Sequence, residues 1–208
     1  MVGVKRVQRI GFLGGTFDPP HIGHLILAEY TVEALALDRL FFVPAADPPH
    51  KRGRHKAGIQ HRIAMLELAL ADNEHFTLSR LDVDRDGPHY SSDSVRMLQG
   101  KYPDADLYFV MGGDSFQDFP NWHEPEIIAE YCKLAVMYRP GSDTLFPAMH
   151  EAVLPGLAER VVMVEAPGMG IDIASSEIVQ RVQEGKSIRY LVPEAVLHYL
   201  QENGIYKG

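Results

Sequence analysis

Five stretches of the chain are nearly continuous in apolar residues and bounded by polar or turn-forming ones. Arg9–Leu13, Leu40–Pro44, Leu107–Met111, Leu134–Tyr138 and Val161–Val164 predict strands covered on both faces, the pattern of a parallel sheet. Between them apolar residues recur at helical spacing. Leu25, Ala28, Val32 and Leu35 share one face over Gly23–Leu37, and Ile63, Leu66 and Leu70 do so over Gln60–Ala71. A third helix is predicted over Ser92–Lys101. From Ser175 the pattern stays helical, through Ile178 and Val182, then Ala195, Leu197 and Leu200 after Pro193. This alternation predicts a doubly wound, Rossmann-like α/β fold with a parallel sheet and a helical C-terminal part. Ligands of such folds sit beyond the carboxyl ends of the strands. No repeat, low-complexity tract or long linker divides the pattern, so one domain over residues 1–208 is expected.

Composition narrows the classes. With 208 residues, 46% hydrophobic and 23% charged, the chain reads as a soluble globular protein with a substantial core. A formal net charge of -8 argues against a broad basic face for nucleic acid, while leaving room for a few local donors to an anionic nucleotide. The single cysteine, Cys132, excludes an internal disulfide framework. It stands just before an apolar run, where a buried structural thiol is expected rather than a nucleophile. Residues Met1 to Arg9 lack the apolar core of a signal peptide, and no segment reaches the length needed to cross a bilayer. A cytoplasmic protein without a membrane partner is the expectation.

The richest chemistry lies in Gly14-Gly15-Thr16-Phe17-Asp18-Pro19-Pro20-His21-Ile22-Gly23-His24, between the first strand and the first helix. Glycines 14 and 15 let backbone approach a ligand closely, and amides there and at the helix start favour phosphate oxygens. His21 and His24, three apart at the helix entrance, can face one ligand. The run is neither the Gly-x-Gly-x-x-Gly fingerprint nor the lysine-bearing phosphate loop. Two plainer readings stand beside it. The histidines could be two metal ligands, although no third ligand with a metal-site spacing is evident, or they could cap the helix or sit on the surface.

This loop resembles the signature of the nucleotidyltransferase superfamily, in which His-x-Gly-His contacts the phosphates of a nucleoside triphosphate. Further matches over nearly the whole chain point to the bacterial nicotinate-nucleotide adenylyltransferases. Pro44 with Asp47-Pro48-Pro49-His50-Lys51 resembles their second loop, and Gln60–Ala69 is similar to the helix that follows. Pro88-His89-Tyr90-Ser91 resembles a Ser-Tyr-Thr segment beside the nicotinate ring. Met111-Gly112-Gly113-Asp114-Ser115 with Trp122 resembles Gly-x-Asp followed by tryptophan, and Arg139-Pro140-Gly141 and the closing Tyr199–Tyr206 also fit.

The resemblance implies transfer of the adenylyl group of ATP to nicotinate mononucleotide, with Mg²⁺ bridging phosphate oxygens and few protein ligands to the metal. His21 and His24 are the implied catalytic donors. Gly14, Gly15, Thr16, Phe17, Gly23, Lys51, Asp114, Ser175 and Ser176 complete the implied ATP site. Gly14, Tyr90, Ser91, Asp114 and Trp122 are the implied mononucleotide site. Each has a plainer reading: Lys51 as a solvated loop lysine, Trp122 as an ordinary aromatic, Asp114 as a helix cap, Tyr90 and Ser91 as a helix start. The chain departs from the family in places. Ile173-Ala174-Ser175-Ser176-Glu177-Ile178-Val179 keeps the hydroxyls but has Val179 where an arginine is expected, and Arg181, Arg139 and Lys51 are the candidate substitutes. Ser91 replaces a threonine and His89 a serine. Other readings are a nicotinamide mononucleotide or phosphopantetheine adenylyltransferase, a silent nucleotide-binding regulator, and a zinc protein. The oligomeric state, a homo-oligomer included, stays open at this level.

Overall fold

Strand β4 (Asp106–Gly112) carries five consecutive apolar residues, Leu107 to Met111, and all five are buried. Such a run is stable only where both faces of a sheet are covered. The computed structural model, which describes residues 6–46, 57–138, 146–166 and 173–207, has that arrangement. The other strands are β1 (Arg9–Gly15), β2 (Arg39–Pro44), β3 (Phe76–Leu78), β5 (Cys132–Tyr138) and β6 (Val161–Glu165). They form one six-stranded parallel sheet in the order β3-β2-β1-β4-β5-β6. The five predicted strands are present, and β3 is added at the edge.

The helices are α1 (Ile22–Leu35), α2 (Ile59–Leu70), α3 (Ser91–Lys101), α4 (Gly113–Asp118), α5 (Pro125–Tyr131), α6 (Ser175–Gln183) and α7 (Glu194–Glu202). Alternation along the strands divides them. Ile10, Phe12, Phe109 and Met111 pack with Val95 and Leu98 of α3, Phe116 of α4 and Ile128 of α5. Leu13, Phe42, Tyr108 and Val110 pack on the opposite face with Ala28 and Val32 of α1 and Leu66 and Leu70 of α2. A third cluster joins Met65 of α2 to Ile178 and Val179 of α6 and Val196, Leu197 and Leu200 of α7. The first helix ends at Leu35, earlier than its apolar pattern suggests, because Ala36 turns left-handed at φ 47 and closes the helix. Cys132 is 1% exposed, and burial pushes its thiol up to about 12, so it behaves as core.

The register locates a crevice. Strands β1 and β4 pair only from Arg9↔Asp106 to Phe12↔Phe109. Beyond that point β1 continues with β2 as far as Gly15↔Pro44, and β4 continues with β5 as far as Gly112↔Met137. The two central strands therefore part company at their carboxyl ends, at the place where the strand order reverses. That is the position at which open α/β sheets bind their ligands.

Candidate active site

One wall of the crevice is the loop from Gly14 to His21. Phe17 sits in it at φ 48 with its ring 1% exposed, packed 5.7 Å from Phe42 and edge-on to His24 at 5.0 Å. A left-handed conformation at a bulky residue costs of order 1–3 kcal/mol, which burial of the ring offsets. A Cβ on Gly15 would stand 2.9 Å from the Phe17 ring, so glycine there makes room for the protein's own side chain. Gly14 is the exposed one, with only ordinary contacts around its α-carbon. Of the two glycines, Gly14 is therefore the one whose surroundings are open, while the Phe17 side chain faces inward.

Asp18 anchors the same loop from beneath. Its Oδ1 accepts from the Tyr206 hydroxyl at 2.6 Å and from the Ala57 amide at 3.1 Å. Burial, and then the hydrogen bond to the Asp18 carboxylate, drive the Tyr206 phenol well above its usual range. The Ser175 hydroxyl donates to the Pro19 carbonyl at 2.9 Å, tying the start of α6 to the loop, while Ser176 beside it is exposed.

His21 and His24 lie face to face, ring centroids 3.6 Å apart and planes 24° from parallel. The His21 amide donates to Nδ1 of His24 at 3.2 Å. That bond assigns the His24 proton to Nε2, which is then its donor. His21 is 6% exposed, and burial lowers its imidazole from 6.5 to about 4, so it is neutral near pH 7. Its Nδ1 has no hydrogen-bond partner among the described residues. The ring lies across Gly23, where an added Cβ would be 3.1 Å from that nitrogen. The helix start is less open than a bare N-terminus: the Ile22 amide donates to the Leu191 carbonyl at 2.9 Å and the His24 amide turns back to His21 at 3.0 Å. Stacked, near-parallel imidazoles do not converge on one metal ion, and no group of three potential metal ligands occurs among the described residues.

Across the crevice, Tyr90, Ser91, Asp114 and Trp122 line one cavity of about 720 Å³. That is a size ordinary for small-molecule sites. Asp114 is exposed in the first turn of α4, directly after β4. Gly112 is the N-cap residue there, so Asp114 does not cap the helix. Tyr90 and Ser91 do begin α3, and both also line the cavity. Trp122 is half-buried, its ring edge-on to Phe109 at 5.7 Å and tilted against Phe119 at 5.6 Å, and it also lines the cavity. His123 stacks on Tyr90 at 3.9 Å. Glu124, at φ 48, receives both Nη atoms of Arg96, at 2.9 and 3.0 Å, and this bidentate pair fastens the Trp122–Glu124 turn to α3. The Tyr90 side is braced by Arg85, which bonds Asp82 at 3.2 Å and the Pro88 carbonyl at 2.9 Å.

A family model described as Cytidylyltransferase-like matches residues 12–181. A protein of Thermomicrobium roseum named "Probable nicotinate-nucleotide adenylyltransferase" is 48% identical over 97% of this chain and 92% of its own length. One of the same name from Thermus thermophilus is 43% identical over 96% of this chain and 100% of its own. The chain belongs to the nicotinate-nucleotide adenylyltransferase family. Among solved structures, Plasmodium falciparum nicotinic acid mononucleotide adenylyltransferase complexed with NaAD matches with a TM-score of 0.78, 16% identity, and coverage of 96% of this chain and 97% of that one. The same enzyme complexed with APC gives 0.76. At 16% identity these likenesses speak to the fold alone.

Lys51 and Arg139 lie outside the described residues. Val179, where the resemblance leads one to expect arginine, is 5% exposed in the cluster of α2, α6 and α7. Arg181 gives Nε and Nη2 to the Ser187 carbonyl at 3.0 and 2.8 Å, so it braces its own turn. His89, Ser115, Asp118, Asn121 and His123, to which the sequence assigned no site role, also line the cavity. Their signal was proximity in sequence to Tyr90, Asp114 and Trp122. No helix among the described residues is long and apolar enough to cross a membrane.

Proposed function

We propose that this protein transfers the adenylyl group of ATP to nicotinate mononucleotide. An oxygen of the mononucleotide phosphate bonds to the α-phosphorus, the bond from that phosphorus to the bridging β-phosphate oxygen breaks, and pyrophosphate leaves with the electron pair. The products are nicotinate adenine dinucleotide and pyrophosphate. The observation that carries this reading is the gathering of Tyr90, Ser91, Asp114 and Trp122 around one cavity beside the β1–β4 crevice. Membership of the adenylyltransferase family supports the choice of reaction and of acceptor.

The attacking phosphate is already anionic, so the protein's work is positioning and charge stabilisation rather than nucleophilic catalysis. His24, with its proton held on Nε2, donates to a phosphate oxygen of ATP. His21, neutral before ATP arrives, gains a partner for its buried ring there. Mg²⁺ enters with ATP as part of the substrate, with waters and phosphate oxygens as most of its ligands. Lys51 adds charge beside the triphosphate. Asp114 accepts from a ribose hydroxyl. The Trp122 face receives the pyridinium ring, whose positive charge suits an indole. Ser91 and the amides at the start of α3 meet the nicotinate carboxylate, a geometry that disfavours the neutral amide of nicotinamide. The test is pyrophosphate release with ATP and Mg²⁺, comparing the nicotinate and nicotinamide mononucleotides. A strong preference for nicotinate is expected. Preference for the amide overturns the acceptor, and no release from either overturns the reaction.

A further inference from the structure

Among the described residues Arg62 is the largest fully buried side chain, 1% exposed, yet it carries a guanidinium into the floor beneath the first loop. Burying such a group costs several kcal/mol unless its donors are satisfied. Its Nη1 donates to the Thr16 carbonyl at 2.8 Å and to the Ala45 carbonyl at 2.9 Å, and its Nη2 donates to the Ala46 carbonyl at 2.9 Å. Thr16 belongs to the loop after β1, and Ala45 and Ala46 to the segment after β2. The same two segments are joined directly by the Ala45 amide, which donates to the Gly15 carbonyl at 2.9 Å. One side chain on α2 therefore holds two neighbouring strand-end loops in a single arrangement.

The direction of those carbonyls has a consequence. A trans peptide is planar, with its C=O and N–H pointing opposite ways. Neither the Thr16–Phe17 nor the Ala45–Ala46 peptide is among the cis bonds, which are Asp18–Pro19 and Gly87–Pro88. Turning the Thr16 and Ala45 carbonyls down onto Arg62 therefore turns the Phe17 and Ala46 amides the other way. Released carbonyls could rotate upward, and they would then present oxygen rather than N–H to an anion.

We propose that Arg62 is a positioning residue for the triphosphate, setting the Phe17 and Ala46 amides toward the phosphates by holding the carbonyls behind them. The proposal rests on the function given above. Lysine cannot replace it: an ammonium is a single point of donors, whereas these three carbonyls are met by two separate nitrogens of a rigid fork. In folded Arg62→Lys the KM for ATP should rise by about tenfold or more, the scale expected when phosphate donors are misplaced by a fraction of an ångström. The KM for the mononucleotide should stay within about twofold. A control, Leu200→Ala, opens the cluster of α2, α6 and α7 and should lower the melting temperature without that split.

The wild-type protein supplies a second readout that no variant's folding can spoil. Adding Mg²⁺–ATP should slow hydrogen exchange in peptides containing Phe17 and Ala46. Unaltered KM for ATP in folded Arg62→Lys, or equal rises for both substrates, overturns the proposal. So does unchanged exchange at Phe17 and Ala46 under saturating ATP. Wild-type protein that protects these amides but releases no pyrophosphate would retire the reaction; loss of that protection in folded Arg62→Lys would then keep the role of Arg62, and its persistence would overturn it.

Discussion

Gly23→Ala separates stability from catalysis at a single carbon atom. Gly23 is the second residue of α1, where alanine would ordinarily favour the helix by about 0.5–1 kcal/mol. The added Cβ would lie 3.1 Å from Nδ1 and 3.2 Å from Cε1 of His21, against an ordinary contact of 3.4 Å or more. The imidazole must yield by a few tenths of an ångström, and the His24 ring stacked 3.6 Å away restricts where it can go. If a displacement of about 1 Å costs about a hundredfold in rate, a shift of a third to half of that costs about 4- to 10-fold. The strain of a displaced side chain, about 0.5–1.5 kcal/mol, roughly cancels the helical gain. For a chain of this size the melting temperature should then move by no more than about 3 °C. Steady-state pyrophosphate release and thermal unfolding, run on the same preparation, check both quantities. Full activity together with a raised melting temperature would show that the His21 position is not set by Gly23, or that it has no bearing on turnover.

His24→Ala should lower kcat by about a hundredfold or more while the circular dichroism spectrum is unchanged, and near-normal turnover would remove His24 from the phosphate site. Trp122→Ala, assayed well below its melting temperature, should raise the KM for the mononucleotide more than that for ATP; equal effects would count against ring stacking. The His21 imidazole sits at about 4 in the folded protein against 6.5 unfolded. Between those values the unfolded chain binds a proton that the folded one refuses, so stability is full above pH 6.5 and falls as the pH drops toward 4. The loss amounts to about 3 kcal/mol at most, and His21→Asn should flatten it. Urea midpoints at pH 7, 6 and 5 for both proteins give the comparison, and parallel curves would refute it.

The strands that were legible in the sequence are those whose apolar runs exceed what one covered face requires. Strand β3 has only Phe76, Thr77 and Leu78 and pairs on one side, too short for any period to register. Helix α4 has six residues, and α5 follows Trp122 so closely that its pattern merges with the loop. The two rims of the crevice were legible because glycine, histidine and tryptophan stand out in kind. The bracing beneath them was not, because it is made of long-range polar contacts. Arg62 did leave a trace: it falls on the same helical face as Leu66 and Leu70, and a cation on an apolar stripe needs a buried partner. Nothing comparable marks Asp18 and Tyr206, which only the folded chain brings together.

That last contact spans 188 residues. At about 5–20 residues per second, translation delivers Tyr206 about 10 to 40 seconds after Asp18. Throughout that interval the nascent protein carries its first loop without one of the bonds that fixes it. The loop after β1 is thus completed by a residue that is synthesised 188 positions later.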